Sequence, residues 1–391
     1  MFEKILKQIA ITAMTGKGAE GNKDLLAELC VKAVKQIRDD DGNIDLDNVK
    51  IEKKQGSGIN DTELVQGVLI DKEKVHSGMP RIIKNAKIAL LDCALEIKSP
   101  ETDTKIQINS PDQLQGFLEQ EEKLLRNMVD KVIKSKANVV ICQKGIDDVA
   151  QHYLAKAKIY AARRVKKSDM DKLARATNAK VISNLNDLSE EDLGSAGIVE
   201  EVKVGDEMMT FVKECTNPKA VTILVRGGSN HVIDEIERAI KDALGDISAS
   251  LKSGKVVGGA GSIEIEVSNN LRKYANTLGG KEQLAVNAFA DAMEIIPRTL
   301  AENAGLDPID ILTELKSSHS QGNKWHGVDV NKGKLMDAWS NGVIEPLKIK
   351  TQAVKSASEV SELILRIDDV IAAGGSKDRM PSMPQGYPGM E

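Results

Sequence analysis

Two hydrophobic periods alternate along this chain. Leu25, Leu26, Leu29, Ala33, Val34 and Ile37 recur at helical spacing, and the acidic turn Asp39-Asp40-Asp41-Gly42 ends that helix. Val49 and Ile51, then Val65, Val68 and Ile70, predict short strands on either side of the Gly56-Ser57-Gly58 turn. Ile88–Leu91 and Val139–Cys142 are short apolar runs. A long charged helix lies between them over Asp112–Lys136, with Ser110-Pro111-Asp112 as its start. After Cys142 the pattern predicts helix Ile146–Lys156, strand Ile159–Ala162, helix Ser168–Thr177 and strand Lys180–Ser183, an alternation that favours an α/β layer.

The pattern then changes. Val221, Ile223 and Val225 suit a core strand, and Arg226-Gly227-Gly228-Ser229-Asn230 breaks the chain and offers an N-cap. Val232, Ile233, Ile236, Ala239, Ile240 and Leu244 return to helical spacing, and a Gly-rich turn follows at Gly258–Gly261. Residues 261–373 read as mainly helical, with Leu284, Phe289, Met293, Ile296 and Leu300 on apolar faces. Pro297 falls inside that pattern and is expected to kink or split its helix. The Gly-, Pro- and Met-rich end, Gly374–Glu391, reads as a disordered tail.

Composition narrows the function classes. At 391 residues the chain has room for two or three domains. A net charge of −5 argues against a nucleic-acid footprint, and 3% aromatics against base-stacking platforms. Cys30, Cys93, Cys142 and Cys215 are far apart and form no metal-type pair, so reduced thiols in a cytosolic protein are expected. The five histidines do not cluster, and no zinc or other metal site is expected. Lys4 and Lys7 interrupt Met1–Met14, so this segment does not read as a signal peptide. No run reaches the length of a membrane span, so the expected location is cytoplasmic.

Several residues suggest chemistry. A Gly-rich turn at Gly259-Ala260-Gly261 lets backbone N–H groups approach a phosphate or sugar, and an acid on the adjoining helix can position a water. Asp242 and Asp246 compete for that place. Lys17 stands between Gly16 and Gly18. It is not a Walker A lysine, because the spacing and the following Ser or Thr are absent, but its glycines permit unusual backbone angles. Ala260 disfavours positive φ, so the turn is expected to be regular or slightly altered there.

Six blocks carry a family resemblance. They are TGKGAEG at Thr15–Gly21, DTELVQGVLIDKEKVHSGMPR at Asp61–Arg81 and QKGIDDVAQHYLAKAKIYAARRVKKSDMDKLA at Gln143–Ala174. Further on come EQLAVNAFADAMEIIPRTLAENAGLDPIDIL at Glu282–Leu312, NGVIEPLKIKTQAVKSASE at Asn341–Glu359 and LRIDDVIAA at Leu365–Ala373. The chain resembles the group II chaperonins, the archaeal thermosome and its eukaryotic cytosolic relatives, almost end to end. The resemblance implies an α/β and α multidomain protein of nested architecture. Residues 1–69 and 220–260 would form a mixed intermediate domain. Residues 70–219 would form an α/β apical domain, with a helical lid protrusion at about 100–136. Residues 261–373 would form a mainly helical, partial equatorial domain, and residues 374–391 a flexible tail.

It also implies roles. Asp242 matches the catalytic aspartate, which orients the attacking water. Lys17 matches the lysine that senses the γ-phosphate. Gly259, Ala260, Gly261 and Glu345, with Asp329 as a weaker candidate, would contact the nucleotide, ATP with Mg2+. Leu114, Phe117 and Leu118 on the protrusion, and Val149, Tyr153 and Leu154 on the helix after Cys142, would meet unfolded clients. Other chaperonin subunits in a double ring are the implied partners. One departure weighs against ATPase activity. The family's Gly-Asp-Gly-Thr-Thr phosphate loop and Gly-Pro motif do not occur in this sequence, as if the N-terminal half of the equatorial domain were missing. An ATP-driven folding subunit, an ATP-independent binder of unfolded protein and an inactive fragment are therefore all open on the residues alone.

Overall fold

The computed structural model describes residues 2–39, 41–97, 111–216 and 218–369. The expected tail at 374–391 and the part of the expected protrusion before Pro111 lie outside them. The chain divides into a unit ending at Ile349 and a second from Lys350.

The first unit opens with helices α1 (Phe2–Met14) and α2 (Lys23–Ile37), then strands β1 (Val49–Gln55), β2 (Glu63–Val65), β3 (Gly67–Ile70) and β4 (Ile82–Leu91). Next come α3 (Pro111–Lys134), β5 (Val139–Cys142), α4 (Asp148–Lys156), β6 (Tyr160–Ala162), α5 (Lys167–Thr177) and β7 (Val181–Ile182). Two long strands, β8 (Gly194–Val204) and β9 (Glu207–Lys213), lead to β10 (Val221–Gly227) and α6 (Asn230–Ser253).

β1 pairs in parallel with β10, which pairs antiparallel with β2. Segments more than 160 residues apart in sequence thus share one sheet, and α1, α2 and α6 share its core. Leu6, Ile9, Leu26, Val34, Ile223, Ile236, Ile240 and Ile247 are all buried there. β10 is buried almost along its length, which is why it reads as an apolar run rather than a strict alternation.

The larger sheet runs β3-β9-β8-β4-β5-β6, with β7 also on β4. It is antiparallel from β3 to β4 and parallel from β4 through β6. The parallel part comes from the predicted strand–helix alternation, since parallel neighbours need a crossover, here α3 and α4. The inner face of α3 packs through Leu125, Val129 and Val132. Lys50 on β1 joins the two sheets. Its buried ammonium reaches Asp169 of α5 at 2.9 Å, Glu52 at 3.2 Å and the Leu69 carbonyl at 2.8 Å.

After α6, β11 (Val256–Gly258) leads into α7 (Ser262–Ala275), α8 (Gly280–Asn303) and α9 (Pro308–Ser320). The hairpin β12 (His326–Asp329) and β13 (Lys334–Asp337) follows, then β14 (Ile344–Pro346), antiparallel to β11. Of the two expected outcomes at Pro297, a kink or a split, α8 shows no split. One helix runs through the proline, which is buried against Gly261. Packing there outweighs the lost hydrogen bond. Leu284, 71% exposed, and Phe289, Ile295 and Ile296 stay on the surface of α8, so only part of the expected apolar face is internal. The last helix, α10 (Leu347–Leu365), crosses the division. In the second unit its Val360, Leu363 and Ile364 are exposed.

Candidate functional site

Gly259, Ala260 and Gly261 connect β11 to α7 and are held on three sides. The Gly259 amide donates to the Val343 carbonyl at 2.9 Å, and the Ala260 carbonyl accepts from the Val328 amide at 2.9 Å. A Cβ on Gly259 would stand 3.1 Å from Val343 and 3.2 Å from the Glu345 side chain. One on Gly261 would stand 2.7 Å from Pro297, and Gly261 has φ +79°, where L side chains are strained. Gly261 is therefore demanded by contacts within the chain, and Gly259 is tightly flanked, a reason the sequence reading did not foresee.

Ala260 corrects the expectation of a regular turn. Its φ is +57°, left-handed despite its methyl. The hydrogen bond from Val328 holds its carbonyl in place. Gly327 makes the approach possible, since a Cβ there would stand 2.6 Å from the Ala260 oxygen. Behind the turn, Trp325 lies against Gly258 and stacks on Trp339 at a centroid distance of 5.6 Å.

The structure brings Asp329 and Glu345 to this turn. Glu345 pairs with Val257 across the β11–β14 ladder and lies beside Gly259. Asp329 ends β12, one residue from the Val328 contact. Its carboxylate is engaged in closing the hairpin, accepting from the Asn331 and Lys332 amides at 3.1 Å each. α7 starts at Gly261 with no side-chain cap. The backbone cradle, the uncapped helix start and the two acids suit the sugar and phosphate parts of a nucleotide. Among the described residues no three His, Cys, Asp or Glu side chains group as metal ligands.

Lys17 and Asp242 meet elsewhere. Lys17 follows α1 in a loop where Gly16 has φ +77°, and Gly18 lies against Glu235 of α6. That brings the Lys17 ammonium into an ion pair with Asp242, seven residues further along α6 on the same face. Asp242 precedes the end of α6 at Ser253 by three turns, about 17 Å of helix.

The client-binding candidates separate. Phe117 and Leu118 of α3 are exposed, Leu118 at 55%, with Leu124 beside them. Val149 at the start of α4 is exposed too, and Tyr153 is half-buried, its hydroxyl bonded to Glu122 of α3 and its ring under Arg126. The hydrogen bond to Glu122 pushes the Tyr153 hydroxyl pKa up. Leu154 is fully buried in the core beneath α3 and α4, so it is not a surface for clients. The side chain of Leu114 lies outside the described residues. No described helix is long and apolar enough to cross a membrane.

The profile of the TCP-1/cpn60 chaperonin family matches residues 2–375. The chain belongs to the TCP-1/cpn60 chaperonin family. Within it the chain is similar to the thermosome subunit of Methanopyrus kandleri, 61% identical over 374 residues, covering 95% of this chain and 69% of that one. The thermosome subunit beta of Archaeoglobus fulgidus is 59% identical over 394 residues, covering 98% of this chain and 72% of that protein. A solved structure described as an open-state monomer of a group II chaperonin from Methanococcoides burtonii superposes with a TM-score of 0.67 at 49% identity. It covers 93% of this chain and 86% of that one. The chaperonin is thus of the group II, thermosome kind. Trp325, His319 and Glu266, all close to the Gly turn, were not singled out from the sequence, and no motif there marked them.

Proposed function

We propose that this chaperonin is an ATP-dependent protein-folding subunit, in which Lys17 and Asp242 couple nucleotide at the Gly259–Gly261 turn to the client-binding face. The observation that carries this reading is the Lys17–Asp242 ion pair. It sets a loop lysine against a carboxylate of α6, the helix that leads into the turn. The relatives' names, thermosome subunits at 55–61% identity, favour it over a passive binder or an inert fragment.

Gly259, Ala260 and Gly261 would hold the phosphate side of ATP, and Glu345, with Asp329, its ribose. Magnesium would accompany the phosphates. The bound nucleotide supplies the phosphoanhydride that is cleaved. Lys17 would exchange the Asp242 carboxylate for a phosphoryl oxygen. Asp242, so released, would accept a hydrogen bond from the attacking water and align it. Residues 1–69 and 220–260 act as the intermediate domain, residues 70–219 as the apical domain and residues 261–373 as the equatorial part. Phe117, Leu118 and Val149 present apolar groups to unfolded chains, and ring neighbours of the same kind complete the assembly.

The test is steady-state ATP hydrolysis by the assembled protein with and without an unfolded client. Hydrolysis lost in Asp242→Ala, with client capture kept, supports the reading. Client capture with no hydrolysis in the parent protein would replace it by a passive binder.

A further inference from the structure

His319 stands near the end of α9 with a fully buried ring, and both of its nitrogens face acceptors. Nε2 is 2.8 Å from the His326 carbonyl, and Nδ1 is 2.8 Å from the Glu266 carboxylate of α7. A carbonyl oxygen brings no proton, so Nε2 must donate. A carboxylate brings none either, so Nδ1 donates as well. A neutral ring would leave two acceptors facing each other at one of its buried nitrogens. Both contacts are met at once when the ring carries a second proton. The negative end of α9 favours that proton on the ring.

The contact acts on the nucleotide turn. His326 begins β12, whose next residues are Gly327, packed on Ala260, and Val328, bonded to the Ala260 carbonyl. Glu266 sits on α7, which starts at Gly261. His319 thus ties together the two elements that flank Ala260. Other charged groups surround it at one remove. The His326 ring is bonded to Ser318 at 2.7 Å and pairs across the hairpin with Asp337. Lys316 on α9 is held by Glu294 of α8, which also holds Arg272 of α7.

We propose that His319, doubly protonated between Glu266 and the His326 carbonyl, is a positioning residue that sets β12 against the Gly259–Gly261 turn and so tunes nucleotide affinity. This rests on the nucleotide reading of that turn, but the positioning itself can be tested without nucleotide.

Nitrogen-15 NMR of the histidine ring at neutral pH should show protons on both His319 nitrogens. A bare nitrogen overturns the proposal. Amide hydrogen exchange at Val328 should accelerate about tenfold in His319→Phe, the scale of one lost charge-assisted hydrogen bond. Unchanged Val328 exchange overturns it whatever ATP does. ATP affinity should fall by about the same factor in His319→Phe. Because His319→Phe could disturb folding, Glu266→Gln is the second variant. A glutamine amide can donate to a neutral ring, so both hydrogen bonds survive without the extra proton. ATP affinity in Glu266→Gln should be close to the parent value, and a loss of about tenfold there overturns the proposal. If the parent binds no ATP while Val328 responds as expected, the nucleotide reading fails and the positioning role stands.

Discussion

The Gly259–Gly261 turn and the Lys17–Asp242 pair are held by opposite means. The turn is locked by backbone hydrogen bonds to Val343 and Val328 and by two places where a single methyl finds no room, at Gly261 and Gly327. The pair is one ion contact between side chains that are partly exposed, on a loop that also rests on buried Ala19 and on Gly18 against Glu235. A surface ion pair contributes about 0–1 kcal/mol, so it can be exchanged for another anion at little cost. Displacing the turn would break packing and hydrogen bonds together. A locked turn after α6 and a cheap, exchangeable contact on α6 is the division of labour that the proposed nucleotide sensing would require.

The sharpest way to break the comparison is Gly261→Val. It forces a β-branched residue into φ +79° and into the space of Pro297, and should lower stability by roughly 3 kcal/mol or more, read as a fall in thermal midpoint. An unchanged midpoint would mean that the turn is not locked. Next, Asp242→Ala should slow ATP hydrolysis by about 100-fold, the range for a group that positions the attacking water, with stability within about 0.5 kcal/mol of the parent. A matching loss of stability would make Asp242 structural. Glu294 tests the support behind the turn. Burial alone would raise its carboxyl, but hydrogen bonds from Lys316, Arg272 and Ser268 outweigh it and hold the pKa below the usual carboxylate range. A depressed carboxyl adds stability above its unfolded pKa and loses it as pH falls through the folded one. Acid denaturation curves should therefore be shallower in Glu294→Gln than in the parent. Identical acid limbs would remove Glu294 from the account. The smallest effect is expected from Lys17→Ala, under about 1 kcal/mol in stability, because the pair is solvated. A larger loss would show that the pair is a fixed strut.

Much of this was legible along the chain. The strand Val139–Cys142 falls where its apolar run stands, and the helix predicted over Asp112–Lys136 runs over Pro111–Lys134. Asp242 and Lys17 could be picked out by motif, though nothing in their spacing of 225 residues said that they touch. Other features were illegible for physical reasons. Leu118 and Leu125 lie seven residues apart on one face of α3, and only packing shows that Leu125 is covered and Leu118 is not. Leu154 looked like Val149 in sequence, yet it is core. Ala260 takes a left-handed angle that its own methyl opposes, because Val328 and Gly327, almost seventy residues away, accommodate it.

Local pattern by itself determined the elements, the break at Ser229 that starts α6, the Gly turn and, through long motif blocks, the family. These follow from side-chain period, capping chemistry and backbone freedom, which act within a few residues. Tertiary structure decided that β1 joins β10, that His319 reaches Glu266 and that Lys17 reaches Asp242. Such contacts depend on how separate helices and strands pack into one core, and no short window of sequence carries that information.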